Sequence, residues 1–418
     1  MRVLMISTDH LMIDRRILQE AQTLRQAGYR VQIFAGFECN EPTTCDLDGI
    51  GISRFRFDWT DARLDRIFAF LGLRTGRLRT ALWVVARRAV ASITGLTSFE
   101  HFVLRQVMEC DYDILHCHDF PLLAVAVEAK RRRGKPLVYD AHELYHAQVQ
   151  LPARTRRRYK SREARLIRHA DLAITVNPFL ARIMADDYGC KLPSVILNAA
   201  PLRREHKPRL DLRKQLGFTD QDRIVLYQGW MSPERGLDRL VRVACYFPTN
   251  VHLVMIGYGL NEAELRVLST EQGTDDGRVI FLGRIEADDL ACLTSGADLG
   301  VIPYHAIDLN NRYCSPNKLF EFLAAGVPFV CNELPFLRAI IDAYGCGMVT
   351  DLSEPETAAA AILSIVEHPV RLKALKDAAE SAGRELSWEK EGEKLVALYE
   401  LQVVARMAQT APDSAPAP

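Results

Sequence analysis

Ser315-Pro316-Asn317-Lys318-Leu319-Phe320-Glu321-Phe322-Leu323-Ala324-Ala325-Gly326 reads as a short helix with its start and stop written into it. The Ser315 hydroxyl suits the N-cap, and Pro316 suits the first helical position, where a missing N–H costs nothing. Gly326 suits the left-handed residue that closes a helix. Asn317, Lys318 and Glu321 fall at i, i+1 and i+4, so the three share one face near the helix start. A helix N-terminus carries free N–H groups and partial positive charge, and a lysine there adds a full one. A carboxylate one turn further in opposes a phosphate but suits a pair of sugar hydroxyls. The combination describes a nucleotide diphosphate whose ribose lies over Glu321. A solvated surface helix is the plain alternative, and the flanks weigh against it. Leu299-Gly300-Val301-Ile302-Pro303 precedes the helix and Val327-Pro328-Phe329-Val330 follows it. Strand, loop, helix N-terminus, strand is where α/β proteins put ligands.

Asn317-Lys318-Leu319-Phe320-Glu321 followed by Ala324-Ala325-Gly326 resembles the donor-binding motif of retaining glycosyltransferases of family 4, in the subgroup with a Pro-Asn-Lys entry to this helix. That resemblance implies the α/β GT-B fold: two Rossmann-like domains facing across a cleft, with a C-terminal helix crossing back to the first domain. In that family the equivalent of Glu321 holds the ribose of a nucleotide sugar. A second Glu usually stands eight positions earlier; this chain has Tyr313 there.

The length of 418 residues fits two domains. The expected division is 1–203, 204–385, a closing helix at 386–408 and a disordered tail at 409–418. Ten scattered cysteines, with no C-x-x-C pair and no His/Cys cluster at zinc spacing, point to a reducing compartment without a metal site. No signal peptide and no membrane-spanning run is read, so the expected location is cytoplasmic. The net charge of zero hides an asymmetry: residues 1–202 hold 30 Lys and Arg against 22 Asp and Glu, the remainder 23 against 31. A basic half suggests a polyanionic partner.

Residues 2–8, a helix from 14 to 27 and Val31 to Phe37 read as a β-α-β opening. The first loop, Thr8-Asp9-His10-Leu11-Met12, lacks G-x-G-x-x-G, which argues against a dinucleotide dehydrogenase. His10, Asp14 and Arg15 fall where the family faces its acceptor. Ile114-Leu115-His116-Cys117-His118-Asp119 and Leu137-Val138-Tyr139-Asp140-Ala141-His142-Glu143 are two strands that each end in His plus carboxylate. Ligand sites lie at the carboxyl ends of such strands, so His118, Asp119, His142 and Glu143 are the candidate catalytic groups. The second of these segments also resembles the one whose His, here His142, contacts the donor sugar and reacting centre in the family.

Ile224 to Gly229 is read as the first strand of the second domain. The family usually follows it with Gly-Arg and then Lys-Gly, two cations gripping the diphosphate. Here Trp230 replaces the first, and Arg235-Gly236 keeps the second with Arg for Lys. Arg grips phosphate bidentately. Gly229 lets backbone approach the phosphates. By the same resemblance, backbone near Arg284 and Ile285 meets the base, so UDP-, GDP- and ADP-linked donors are not distinguished by side chains.

Arginines interleave with apolar residues over 63–104, and Arg154 to Arg168 holds eight Lys and Arg against Glu163 alone. Both stretches read either as helices lying on the anionic inner face of a membrane or as ordinary helices with arginines outward. The 154–168 run lacks stacking aromatics, which argues against nucleic acid. The resemblance therefore implies transfer of a sugar, with retention, from a nucleotide donor to a glycan or lipid-linked acceptor in surface polysaccharide synthesis, without cofactor or metal. A GT-B epimerase and a non-catalytic membrane-associated scaffold are the alternatives.

Overall fold

The computed structural model describes residues 1–9, 12–57, 85, 95–148, 150–202, 210–405 and 407. His10, nearly all of the basic stretch from 63 to 94, the 204–209 linker and the 409–418 tail lie outside the described residues.

Two compact units are present. The first comprises 1–146, 152–196 and 392–418, the second 147–151 and 197–391. The first unit holds β1 (Arg2–Ile6), β2 (Arg30–Phe34), β3 (Glu38–Leu47), β4 (Ile50–Arg56), β5 (Ile114–His118), β6 (Leu137–Ala141), β7 (Leu172–Thr175) and β8 (Ser194–Val195). Their order is β3-β4-β2-β1-β5-β6-β7-β8, parallel throughout except for β3 against β4. Most strand residues are buried on both faces, as continuous runs such as Val3-Leu4-Met5-Ile6 require of a parallel sheet with helices on both sides. The β3–β4 hairpin at the sheet edge carries no motif and was not anticipated from the sequence.

The second unit holds β9 (Arg223–Gln228), β10 (Val251–Ile256), β11 (Val279–Gly283), β12 (Leu299–Ile302), β13 (Phe329–Cys331) and β14 (Gly347–Val349). The order β11-β10-β9-β12-β13-β14 is wholly parallel. Each sheet reverses its winding once, at β1/β5 and at β9/β12, and the crevice outside those carboxyl ends is where such sheets take ligands.

The helix Asn317–Ala324 is held against β12 by a close approach: a Cβ on Gly300 would stand 2.5 Å from the Phe322 ring. The chain therefore brings the helix start to the β9/β12 crevice. Its cap differs from the expectation. Pro316 occupies the N-cap position and Ser315 lies outside the helix, its hydroxyl making no capping bond. The physical reason is backbone shape: Pro316 has φ −71° and ψ 136°, which is extended rather than helical. Gly326 has the left-handed φ of 67°.

The basic run folds as the helix Ala153–Leu166. Glu163, counted above as the one acid opposing eight cations, is fully buried and accepts from the Tyr139 and Tyr188 hydroxyls at 2.7 and 2.8 Å. It faces the core, so Arg154, Arg157, Arg158 and Arg165 form an exposed basic face without it. At the described end of 63–104, the helix Ser98–Glu109 starts on a Thr97/Glu100 capping box and buries Val103, Leu104 and Val107. Among the described residues, no helix is long and apolar enough to cross a membrane.

Candidate functional site

In the second unit, β9 delivers Gln228 and Gly229 to the crevice, and the helix Asn317–Ala324 brings Lys318 and Glu321 to them. Lys318 is buried, and its ammonium has no hydrogen-bond partner. It lies 3.8 Å from the centre of the Tyr227 ring and 4.8 Å from that of Tyr304. A Cβ on Gly229 would stand 3.3 Å from that ammonium, so glycine keeps the space in front of it open. Arg235 closes a short turn, Pro233–Arg235, with its guanidinium 4.0 Å over the Tyr304 ring and its Nε unpartnered. Ser315 Oγ is likewise buried and unpartnered. Burial pushes the Lys318 ammonium well below the usual lysine range and Arg235 pushes the same way; Glu321 opposes both. Two cationic groups that share the Tyr304 ring and have donors with nothing to donate to describe a site complementary to an oxyanion.

Glu321 accepts from the Gln228 side-chain amide, whose own oxygen accepts from Thr294 Oγ1 at 2.8 Å. The carboxylate is thus positioned from the sheet. Asn317 is exposed at the helix start, and Arg284 and Ile285 follow the end of β11.

In the first unit, β5 ends at His118 and β6 places His142 beside it, with 3.3 Å between His118 Nδ1 and His142 Nε2. His142 Nε2 lies 3.1 Å from Asp140, and Nδ1 lies 3.4 Å from Asp119. Asp119 also accepts from the His142 backbone N–H at 2.9 Å. Burial works against charge on this ring, yet Asp119 and Asp140 raise it to about 10, so it is an imidazolium at neutral pH. Asp119 sits at φ 60°, ψ 165°, which is costly for a residue with a Cβ, and its bonds to the His142 backbone and ring hold it there. Burial raises its carboxyl to about 6 although His142 opposes this. Glu143 follows half-buried.

Sequence reasoning missed what stands behind His142. Asp14 is the N-cap of the helix Arg15–Gln26, accepting from the Arg16 N–H at 2.8 Å. Arg16, not Arg15, turns inward. Its guanidinium donates to Asp140 at 2.8 and 3.0 Å and to the Ile196 carbonyl at 2.8 Å, and Nε is 3.1 Å from Glu20. Burial and the Asp140 charge push Glu20 well above the carboxylate range. Burial would also raise Asp140, but Arg16 and His142 hold it well below. Arg16 and Glu20 are spaced i, i+4 beside the apolar stripe Ile17, Ala21, Leu24, and that adjacency was the available signal.

Among the described residues, Glu20, His116, His118 and Asp140 bring ligand atoms within 4.8 Å of one another. The His116 and His118 rings stack at 4.3 Å and 22°, so their lone pairs run side by side instead of converging, and Arg16 already supplies the cation. These residues fit an arginine better than a metal ion.

The family model described as "Glycosyltransferase Family 4" matches residues 13–204, and "Glycosyl transferases group 1" matches 208–382. The D-inositol 3-phosphate glycosyltransferase of Acidothermus cellulolyticus is 26% identical over 311 residues, 69% of this chain and 67% of that protein. A GDP-mannose-dependent monoacylated α-(1-6)-phosphatidylinositol monomannoside mannosyltransferase of Corynebacterium glutamicum is 27% identical over 196 residues, 44% of this chain and 48% of its own length. Sucrose-phosphate synthase from Thermosynechococcus elongatus superposes with a TM-score of 0.70 at 19% identity, covering 97% and 99% of the two chains. Anabaena HepE in complex with UDP gives 0.67 at 16%, covering 96% and 100%. With one family model on each half of the chain and two Rossmann-like sheets beneath them, this protein is a GT-B glycosyltransferase of the family 4 kind.

Proposed function

We propose that the chain transfers a sugar from a nucleoside diphosphate donor to a glycan or lipid-linked acceptor, with retention at the anomeric carbon. The observation that carries this reading is the buried, unpartnered Lys318 ammonium at a helix N-terminus in the β9/β12 crevice, sharing the Tyr304 ring with the Arg235 guanidinium. Breaking a glycosyl–phosphate bond builds negative charge on the leaving diphosphate, and preorganised donors stabilise that charge without reorganising. Glu321, held by Gln228, takes the ribose hydroxyls. His142, as an imidazolium set between Asp119 and Asp140, orients the donor sugar. Its two ring nitrogens both face carboxylates, so it is poor as a base. A same-face reaction, in which the leaving phosphate accepts the acceptor's proton, needs neither an enzyme base nor the paired carboxylates of retaining glycosidases. UDP-linked donors gain support from the UDP complex of HepE, and GDP-linked ones from the name of the Corynebacterium relative.

Titration with UDP, GDP and ADP, without added metal, tests the donor site. One nucleotide is expected to bind, and Glu321→Ala is expected to weaken it about tenfold, the loss of a charge-assisted bond to the ribose. Binding of none of the three defeats the reading and favours a scaffold that kept the fold.

The exposed arginines of Ala153–Leu166, with Glu163 turned inward, favour an acceptor presented on an anionic surface. Co-sedimentation with phosphatidylserine-containing vesicles at low salt is expected and is lost when Arg154, Arg157 and Arg158 become Gln. Failure of the wild type to sediment removes the membrane from the proposal.

A further inference from the structure

Lys318 and Arg235 carry like charge, and among the described residues neither sits in an ion pair with a carboxylate. What they share is a ring. The Arg235 guanidinium lies 4.0 Å from the centre of Tyr304, and the Lys318 ammonium 4.8 Å from the same centre. A second ring, Tyr227, stands 3.8 Å from that ammonium. All three distances fall within the roughly 6 Å over which an aromatic face attracts a cation. Two cations that repel each other are thus gathered around neutral rings.

The rings are themselves held. Tyr227 is fully buried on β9, and its Oη donates to the Trp230 carbonyl at 2.7 Å. Tyr304 is buried two residues past the end of β12, and its loop is pinned from the neighbouring strand. Asn332, directly after β13, donates from its side-chain amide to the Tyr304 carbonyl at 3.0 Å and to the Pro303 carbonyl at 3.2 Å. Its Oδ1 accepts from the Leu352 N–H at 2.8 Å. The turn that carries Arg235 is pressed against the same loop. A Cβ on Gly236, which has φ 68°, would stand 2.7 Å from His305 Nε2 and 3.2 Å from the Pro303 carbonyl oxygen. The backbone on both sides of the Arg235–Tyr304 contact is therefore fixed by the protein itself.

We propose that Tyr304 and Tyr227 are positioning residues for the leaving diphosphate: their ring faces hold the Lys318 and Arg235 cations together in place of a carboxylate. The inference rests on the donor site proposed above and deepens it. A carboxylate between two cations holds them more strongly, but it cancels their charge and repels incoming phosphates. A ring face attracts a cation through its quadrupole and carries no net charge, so the charge of both cations remains for the ligand. The attraction is weaker than a charge-assisted hydrogen bond, so a phosphate takes the cations over without breaking a salt bridge. Placement of these two matters the more because Trp230 stands where a further cation is usual in the family.

The test changes the charge distribution of the Tyr304 ring while keeping close to its size, on the full chain. The ligands are inorganic pyrophosphate and whichever of UDP, GDP and ADP the wild type takes. Tyr304→Phe is expected to bind both within about threefold of wild type, since a phenyl face attracts a cation much as a phenol does. Pentafluorophenylalanine at the same position, whose face repels cations, is expected to weaken both about tenfold, and Tyr304→Leu likewise. The fluorinated ring keeps the shape of the side chain, so its result stands whether or not Tyr304→Leu folds. With Arg235→Ala added, the penalty of fluorination is expected to shrink to less than about threefold, as coupled groups require. If the fluorinated ring binds both ligands as tightly as Phe does, or if Phe is as weak as Leu, the ring acts through its bulk or its hydroxyl. If Arg235→Ala leaves the penalty unchanged, the ring does not act through that cation. Any of these overturns the proposal while the donor site stands. If the wild type binds neither pyrophosphate nor any of the three nucleotides, the donor reading itself fails and the role of the tyrosines with it.

Discussion

Lys318→Met is expected to yield a protein that melts higher and transfers almost nothing. The Lys318 ammonium is buried without a hydrogen-bond partner, between two tyrosine rings and near a second cation. Leaving a polar donor unsatisfied costs about 1–3 kcal/mol, and methionine fills much the same volume without that cost. The expected gain is of that size, read as a higher urea midpoint or a rise of several degrees in the melting of the second unit. The pH dependence has a definite sign. Burial lowers the folded-state pKa, so the unfolded chain binds more protons and stability rises with pH from that lowered value up to about 10.5. The variant loses that slope. Activity moves the opposite way: removing a preorganised donor to a developing oxyanion costs about 100- to 1000-fold, and kcat/KM should fall by at least about 100-fold. An unchanged or lowered midpoint would mean that the ammonium is satisfied in the free protein. A kcat/KM within tenfold of wild type would mean that it does not meet the phosphates.

The second large effect lies in the first unit. Arg16→Met removes a buried guanidinium that donates twice to Asp140 and once to the Ile196 carbonyl. Breaking one side of a buried ion pair costs about 3–5 kcal/mol, because the remaining charge is stranded in a low dielectric. Equilibrium urea unfolding should show that loss, and Asp140→Asn added to Arg16→Met should recover part of it. A single-variant loss under about 1 kcal/mol would refute the pairing. Asp140 also faces His142, so the pH dependence of the wild type carries a signature. The His142 pKa is raised to about 10 from an ordinary 6.5, so the folded state holds a proton that the unfolded state releases. The stabilisation is complete below pH 6.5 and fades as pH rises through 10, by on the order of a few kcal/mol. Asp119, raised to about 6, adds a decline of the same sign between pH 4 and 6. His142→Gln should flatten the stability curve above pH 6.5; a curve that keeps its fall would assign the proton elsewhere.

The parts of the molecule legible in the sequence were those fixed by local chemistry. The apolar strands and helical pattern of residues 2–37 gave a β-α-β opening, the family resemblance of Asn317 to Glu321 implied the two Rossmann-like units, and strand ends marked by His and carboxylate, such as His118-Asp119 and His142-Glu143, gave the candidate residues of the first. Gly326 closed its helix as its type demands. The illegible parts depended on partners distant in the chain. Ser315 has the chemistry of a cap, but the extended backbone at Pro316 left its hydroxyl outside the helix. Arg16 and Glu20 drew no reading, and Glu163 was counted within a basic run, because a charged residue is seldom buried without a partner, and the partners Asp140, His116 and Tyr139 are 124, 96 and 24 residues away.

The first unit is completed by residues from the far end of the chain. Leu395, Tyr399 and Val403 are fully buried in it, and Tyr399 Oη lies 2.7 Å from His116 Nδ1, in the histidine stack behind His142. During synthesis the chain emerges from its N-terminus and domains fold as they appear. A nascent chain that has reached residue 391 therefore has every strand of the second unit, while the first still lacks a wall of its core and the phenol that meets His116. The half of the protein made first is finished last: each newly made molecule closes the wall behind its histidines only once the second unit is complete.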